Sequence, residues 1–180
     1  MIRRTVLLGL LAVAACGPTT PPPTIPVSDA PGSRVIDPIV SAGQNAGAFF
    51  RAPQANQPAA AARAIADLEF LAGAVPADPR WQTSSSMAQT QLIQARNQAR
   101  AALGVPRNAA SQQVIDALTA AANALDAGDR AAAAQALPRS IFTAGPQATL
   151  ARLARPPRVP SAGAALASLA AGPDVGHFRR

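Results

Sequence analysis

The chain has 180 residues, with 16 Arg, no Lys, nine acidic residues and a formal net charge of +7. One cysteine excludes an internal disulfide framework and a thiolate metal site. Eight of the nine acids are Asp, and Ala is the commonest residue, so the Arg-only basicity follows GC-rich coding and argues little for nucleic acid. The excess charge is local: nine Arg face seven acids between Arg34 and Leu150, whereas Arg152, Arg155, Arg158, Arg179 and Arg180 face only Asp174.

The chain opens with Arg3-Arg4 and then an apolar run from Val6 to Ala15. A run of ten suits a secretory signal and falls short of the ~20 residues a membrane-spanning helix needs. It ends on Val13-Ala14-Ala15-Cys16, which resembles the lipobox of bacterial lipoproteins. The resemblance implies that residues 1–15 are a signal peptide and that Cys16 becomes the acylated first residue of the mature chain. It also implies a diacylglyceryl thioether and a further acyl chain, enough for stable membrane attachment where one chain is marginal. Gly17 stands where an Asp commonly retains such proteins in the inner membrane, so the family pattern implies the periplasmic face of the outer membrane.

Residues 16–33 read as an acylated Cys and a proline-rich tether, with six Pro between Gly17 and Ser33. The composition favours extended polyproline-like chain, unable to bury enough surface to fold. Seventeen such residues span about 50 Å when extended.

Residues 34–172 read as a helical domain. Asp37-Pro38 is a cap followed by Pro at the first helical position and starts a helix through Arg51. Its Gly43 and Gly47, on one face, either permit close helix contact or weaken the helix; Phe49-Phe50 close it as core. Gln57-Pro58 starts a second helix, expected to end before Pro76, with Ile65, Leu68, Leu71, Ala72 and Val75 on one face. Asp67 and Glu69, two apart, point in different directions.

Asp78-Pro79 repeats the cap signal, and a third helix spans about Ser84 to Leu103, stopped by Gly104. Ala88, Leu92, Ala95, Ala99 and Ala102 form its narrow stripe, with Arg96, Arg100 and several Gln and Asn on the remainder. Ser111 is expected to cap a fourth helix with Val114, Ile115, Leu118, Ala121, Ala122 and Leu125 on its apolar face. Gly128 turns the chain and Asp129 caps a short helix to Leu137. This stretch resembles the turn between paired helices of tetratricopeptide-like repeats, but no 34-residue recurrence supports a repeat protein.

Beyond Pro138, a helix through Leu150 and Leu153 and a last one from Ser161 through Leu169 are predicted. Residues 173–180 are a basic tail. No run of alternating β-branched residues predicts a strand. The fold class is therefore all-α, a small Ala-rich bundle of five to seven helices behind a disordered proline-rich tether.

Convergent reactive groups are missing. His177 is the sole histidine, Ser84-Ser85-Ser86 lacks a nucleophile motif, and no phosphate loop or metal spacing is present. No catalytic residue, metal or cofactor is predicted. Trp81 reads as a recognition residue or as a core or rim side chain sealing a helix end, and Arg80 beside it as a cation that stacks or binds an anion at a helix start. Arg152, Arg155 and Arg158 offer a basic surface for anionic envelope groups or a solvated end. The expected function is a structural or adaptor lipoprotein: acyl chains on Cys16 meet the membrane and the domain meets an envelope protein, with no nucleic-acid partner. A carrier for an apolar or anionic envelope molecule is the alternative. Anchor and helicity together also resemble the pilotins, small helical lipoproteins that escort secretins.

Overall fold

The computed structural model describes residues 21–26, 37–81 and 86–170. Cys16, the basic tail with His177, and Ser84 and Ser85 lie outside the described residues. Seven α-helices follow in order: α1 (Pro38–Arg51), α2 (Pro58–Ala77), α3 (Ser86–Leu103), α4 (Ser111–Asp126), α5 (Arg130–Gln135), α6 (Pro146–Ala154) and α7 (Pro160–Ala170). A 3-10 turn, Pro79–Trp81, links α2 towards α3. Among the described residues there is no strand, and no helix is long and apolar enough to cross a membrane.

Local signals act much as the residues predict. The Asp37 carboxylate accepts from the Ile39 and Val40 amides, and Pro38 stands in the first turn of α1. Asp129 accepts from the Ala132 amide at 2.8 Å and starts α5. Gly104 at φ +75° ends α3, and Gly128 at the same φ turns the chain between α4 and α5, conformations that disfavour a Cβ. Gly128 N–H donates to the Leu125 carbonyl and Asp129 N–H to that of Ala124, closing the end of α4.

α2 is the centre of the molecule. Thirteen of its twenty residues are buried, which requires neighbours on every side. α1 and α3 pack on it, and α7 closes a ring by touching both. On its other flank α2 packs on α4 and α6, with α5 wedged between those two. Ile65, Leu68, Leu71, Leu92, Ile115, Leu118, Phe142, Leu150 and Leu153 supply the large buried side chains, and Ala fills the close approaches.

Four expectations need correction. α2 does not stop before Pro76: it continues to Ala77, because a proline this near the end costs only one backbone bond. Ser111 is the first residue of α4 and Ala110 its cap; the serine hydroxyl instead accepts from Arg100 at 3.1 Å. Arg100, placed with the polar residues of α3, is buried. Phe49 and Phe50 are half-buried at the margin of the core, in an edge-to-face pair with ring centroids 5.3 Å apart.

Within the proline-rich stretch, residues 21–26 have no regular secondary structure and lie against the domain. Pro23 and Ile25 are half-buried, whereas Pro21, Pro22, Thr24 and Pro26 are exposed. The Thr24 backbone exchanges two hydrogen bonds with the Gln112 amide: its N–H donates to Oε1 at 2.8 Å, and Nε2 donates to its carbonyl at 3.1 Å.

Candidate functional site

α1 and α7 approach each other through small residues and leave an open groove with a cavity volume of about 420 Å³. Its lining includes Ile39, Val40, Phe50, Leu166 and Leu169, together with Trp81, Gly43, Gly47 and Gly163. A methyl group added at any of these three glycines would meet nothing within 4 Å. The Gly43–Gly47 face therefore does not serve close helix contact; the missing side chains leave space. Among the described residues, Gln44 and Arg51 are the polar members of the lining and no carboxylate belongs to it. The volume lies within the range of small-molecule and peptide side-chain sites.

The sequence-predicted residues divide. Trp81 is 5 % exposed and contributes to the groove while sealing the junction after α2. Arg80 points elsewhere. Its Nε and Nη2 donate to the two Asp78 oxygens at 3.1 and 2.6 Å, and its Nη1 pairs with Asp37. The hydrogen bonds from Arg80 hold the Asp78 carboxyl below its usual range, and those to Asp78 and Asp37 push the Arg80 guanidinium up. A cation already shared by two carboxylates is a tie between α1 and the 3-10 turn.

Arg152, Arg155 and Arg158 are exposed. Arg152 and Arg155 border a shallow hollow of about 210 Å³ beside Ala102 and Pro157, and Arg152 Nη1 donates to the Ala102 carbonyl at 3.3 Å. Among the described residues, none of the three pairs with an acid. They belong to a different side chain cluster from Arg80 and Trp81.

Three buried charged residues were not anticipated. Glu69 and Arg100 are 1 % and 3 % exposed and join α2 to α3 through Nε–Oε1 at 2.6 Å and Nη2–Oε2 at 2.8 Å. Arg100 also donates to the Arg107 carbonyl at 2.7 Å, fastening the loop before α4. A signal for the burial of Glu69, though not for its partner, was present: Glu69 follows Ile65 by four positions and precedes Ala72 by three, so it interrupts the apolar stripe itself. Asp67 is also buried, and burial pushes its carboxyl up to about 7, against a lowering influence of Arg63. None of the three lines the groove.

Among the described residues no three His, Cys, Asp or Glu side chains gather where a metal ion could be held. The arrangement is suited to binding through shape and apolar contact, with one cation at the rim. The chain matches no protein-family model, no curated protein and no solved structure.

Proposed function

We propose that this protein is a lipoprotein of the cell envelope, held at the periplasmic face of the outer membrane by acyl chains on Cys16, and that its helical domain is a binding adaptor and not an enzyme. The lipobox-like Val13-Ala14-Ala15-Cys16 supports the anchor. One observation carries the binding role: the α1–α7 groove leaves Ile39, Val40, Phe50 and Leu166 lining open space. Apolar anchors of a partner protein would fill it, most simply those along one face of a helix laid between α1 and α7.

A second reading is a carrier for an apolar molecule with an anionic head. It draws on Arg51 at the rim.

The test is a photo-crosslinking residue at Val40, which is 39 % exposed, introduced into the protein in its native host. A single envelope protein captured at that position supports the adaptor. A lipid adduct supports the carrier. Capture of abundant porins alone counts against both. Mass spectrometry of the membrane-extracted protein reports acylation of Cys16 independently.

A further inference from the structure

We propose that Pro21–Pro26 is a latch that ties the anchor arm to the flank of the domain, so that the domain rides close to the bilayer and not at the end of a long tether. The membrane stand-off rests on the acylation of Cys16 argued above; the latch itself does not.

Three contacts on three different partners build it. The first is with α2. A methyl group at residue 73 would stand 2.6 Å from Pro23 Cγ and 2.7 Å from its Cδ, closer than carbon atoms pack. Gly73 thus differs from Gly43, Gly47 and Gly163, which face open space. Glycine weakens a helix interior, so a proline ring seated on it gives that position a purpose. The second contact is with α4, where the Gln112 side chain presents its oxygen and its nitrogen to the backbone of Thr24 as a neighbouring strand would. Gln112 Nε2 also donates to Asp116 at 2.8 Å, which holds the amide in the orientation that Thr24 requires. The third is Ile25, which packs against the hydrophobic core.

The consequence is one of length. From Cys16 to Asp37, an unlatched arm of twenty-one residues spans roughly 65 Å as polyproline-like chain. From Cys16 to Pro21 there are five residues, at most about 18 Å. Pro22 borders the same hollow as Asp37 and Arg80, so the latch brings the pole that carries the start of α1 and the 3-10 turn towards the membrane. Ile39 lines both this hollow and the α1–α7 groove, so one end of the groove lies at that pole.

The experiment uses the full acylated protein in phosphatidylethanolamine–phosphatidylglycerol vesicles containing a dansyl-headgroup lipid. Trp81, the sole tryptophan, is the energy donor. Hydrogen exchange at the Thr24 amide is the second readout. Gly73→Ala puts a methyl group under Pro23 without breaking α2, and Gln112→Ala removes the amide pair. The expected result is efficient transfer and about tenfold protection of Thr24 in the wild type, with protection lost in both variants. Transfer then falls by about half or more as the arm lengthens. A freely exchanging Thr24 amide in the wild type overturns the latch, whether or not Cys16 is acylated. Equal transfer in wild type and variants overturns the stand-off. A Cys16 without lipid, read by mass spectrometry, removes the membrane stand-off together with the anchored function and leaves the exchange result to judge the latch alone.

Discussion

The carboxylate of Glu69 and the guanidinium of Arg100 meet in a two-pronged pair buried between α2 and α3, and the two partners are unequally dependent on it. Both Glu69 oxygens bond to Arg100. Arg100 has further acceptors in the Pro106 and Arg107 carbonyls and the Ser111 hydroxyl. Removing the arginine therefore takes both hydrogen-bond donors from a buried carboxylate and leaves it only the nearby charge of Arg96, whereas removing the carboxylate leaves a cation with three other partners. Arg100→Leu should cost about 3–5 kcal/mol of stability, the usual consequence of an uncompensated buried charge, and Glu69→Leu should cost less. The double variant should fall short of the sum, because the stranded charge is gone. Urea unfolding midpoints at an unchanged slope would measure all three. Equal costs that add would show that the pair is not coupled.

Asp67 sets a pH dependence of defined sign. Burial raises its carboxyl from 3.8 to about 7 in the folded protein. A folded value above the unfolded one means that the native state holds the proton more tightly. The stability from this group is fully present below about pH 3.8 and is lost as the pH rises to about 7, above which it changes no further. The whole span is on the order of 4 kcal/mol. Asp67→Asn keeps the neutral form at every pH, so it should flatten this slope and stabilise the protein at pH 8. Denaturant melts across pH 4–8 read the difference between the two proteins; parallel curves would refute the assignment.

Leu118 tests how far an alanine-rich core depends on its few large side chains. It is fully buried in α4, which packs along α2. Leu118→Ala should cost about 2–5 kcal/mol, read as a lowered thermal midpoint. An unchanged midpoint would mean that the large side chains do not bear the stability.

Helix positions were legible because the chain marks its ends with groups that act locally. Asp37-Pro38, Asp129, Gly104 and Gly128 each satisfy or terminate a helix through neighbours within a few residues. Central placement of α2 was half legible: the stripe through Ile65, Leu68 and Val75 was visible, but burial on the remaining sides depends on α1, α3, α4 and α6 arriving together. Ser111 shows the limit of a local signal, since a distant guanidinium claims the hydroxyl that a cap would use. The Glu69–Arg100 pair spans 31 positions, and no periodicity within one helix encodes it. The groove was legible in its glycines but not in its existence. Gly43 and Gly47 lie on α1 and Gly163 on α7, and only the packing of those two helices turns absent side chains into a cavity.

Those glycines provide the test that separates a binding groove from a packing defect. Each sits inside a helix, where Ala is favoured over Gly by roughly 1 kcal/mol, and a methyl group at each has room. Gly43→Ala and Gly47→Ala should therefore each raise the thermal midpoint by about 2–4 °C. Gly47→Leu goes further by placing a branched side chain in the 420 Å³ space between Phe50 and Leu166. Filling an apolar space with apolar atoms should leave the fold intact and lower capture of the partner at Val40 steeply. Stability that holds or rises while capture fails is the signature of a site whose open space is used for binding. If capture at Val40 persists in the stably folded Gly47→Leu protein, the partner does not enter the groove, and the glycines are a weakness that the fold tolerates.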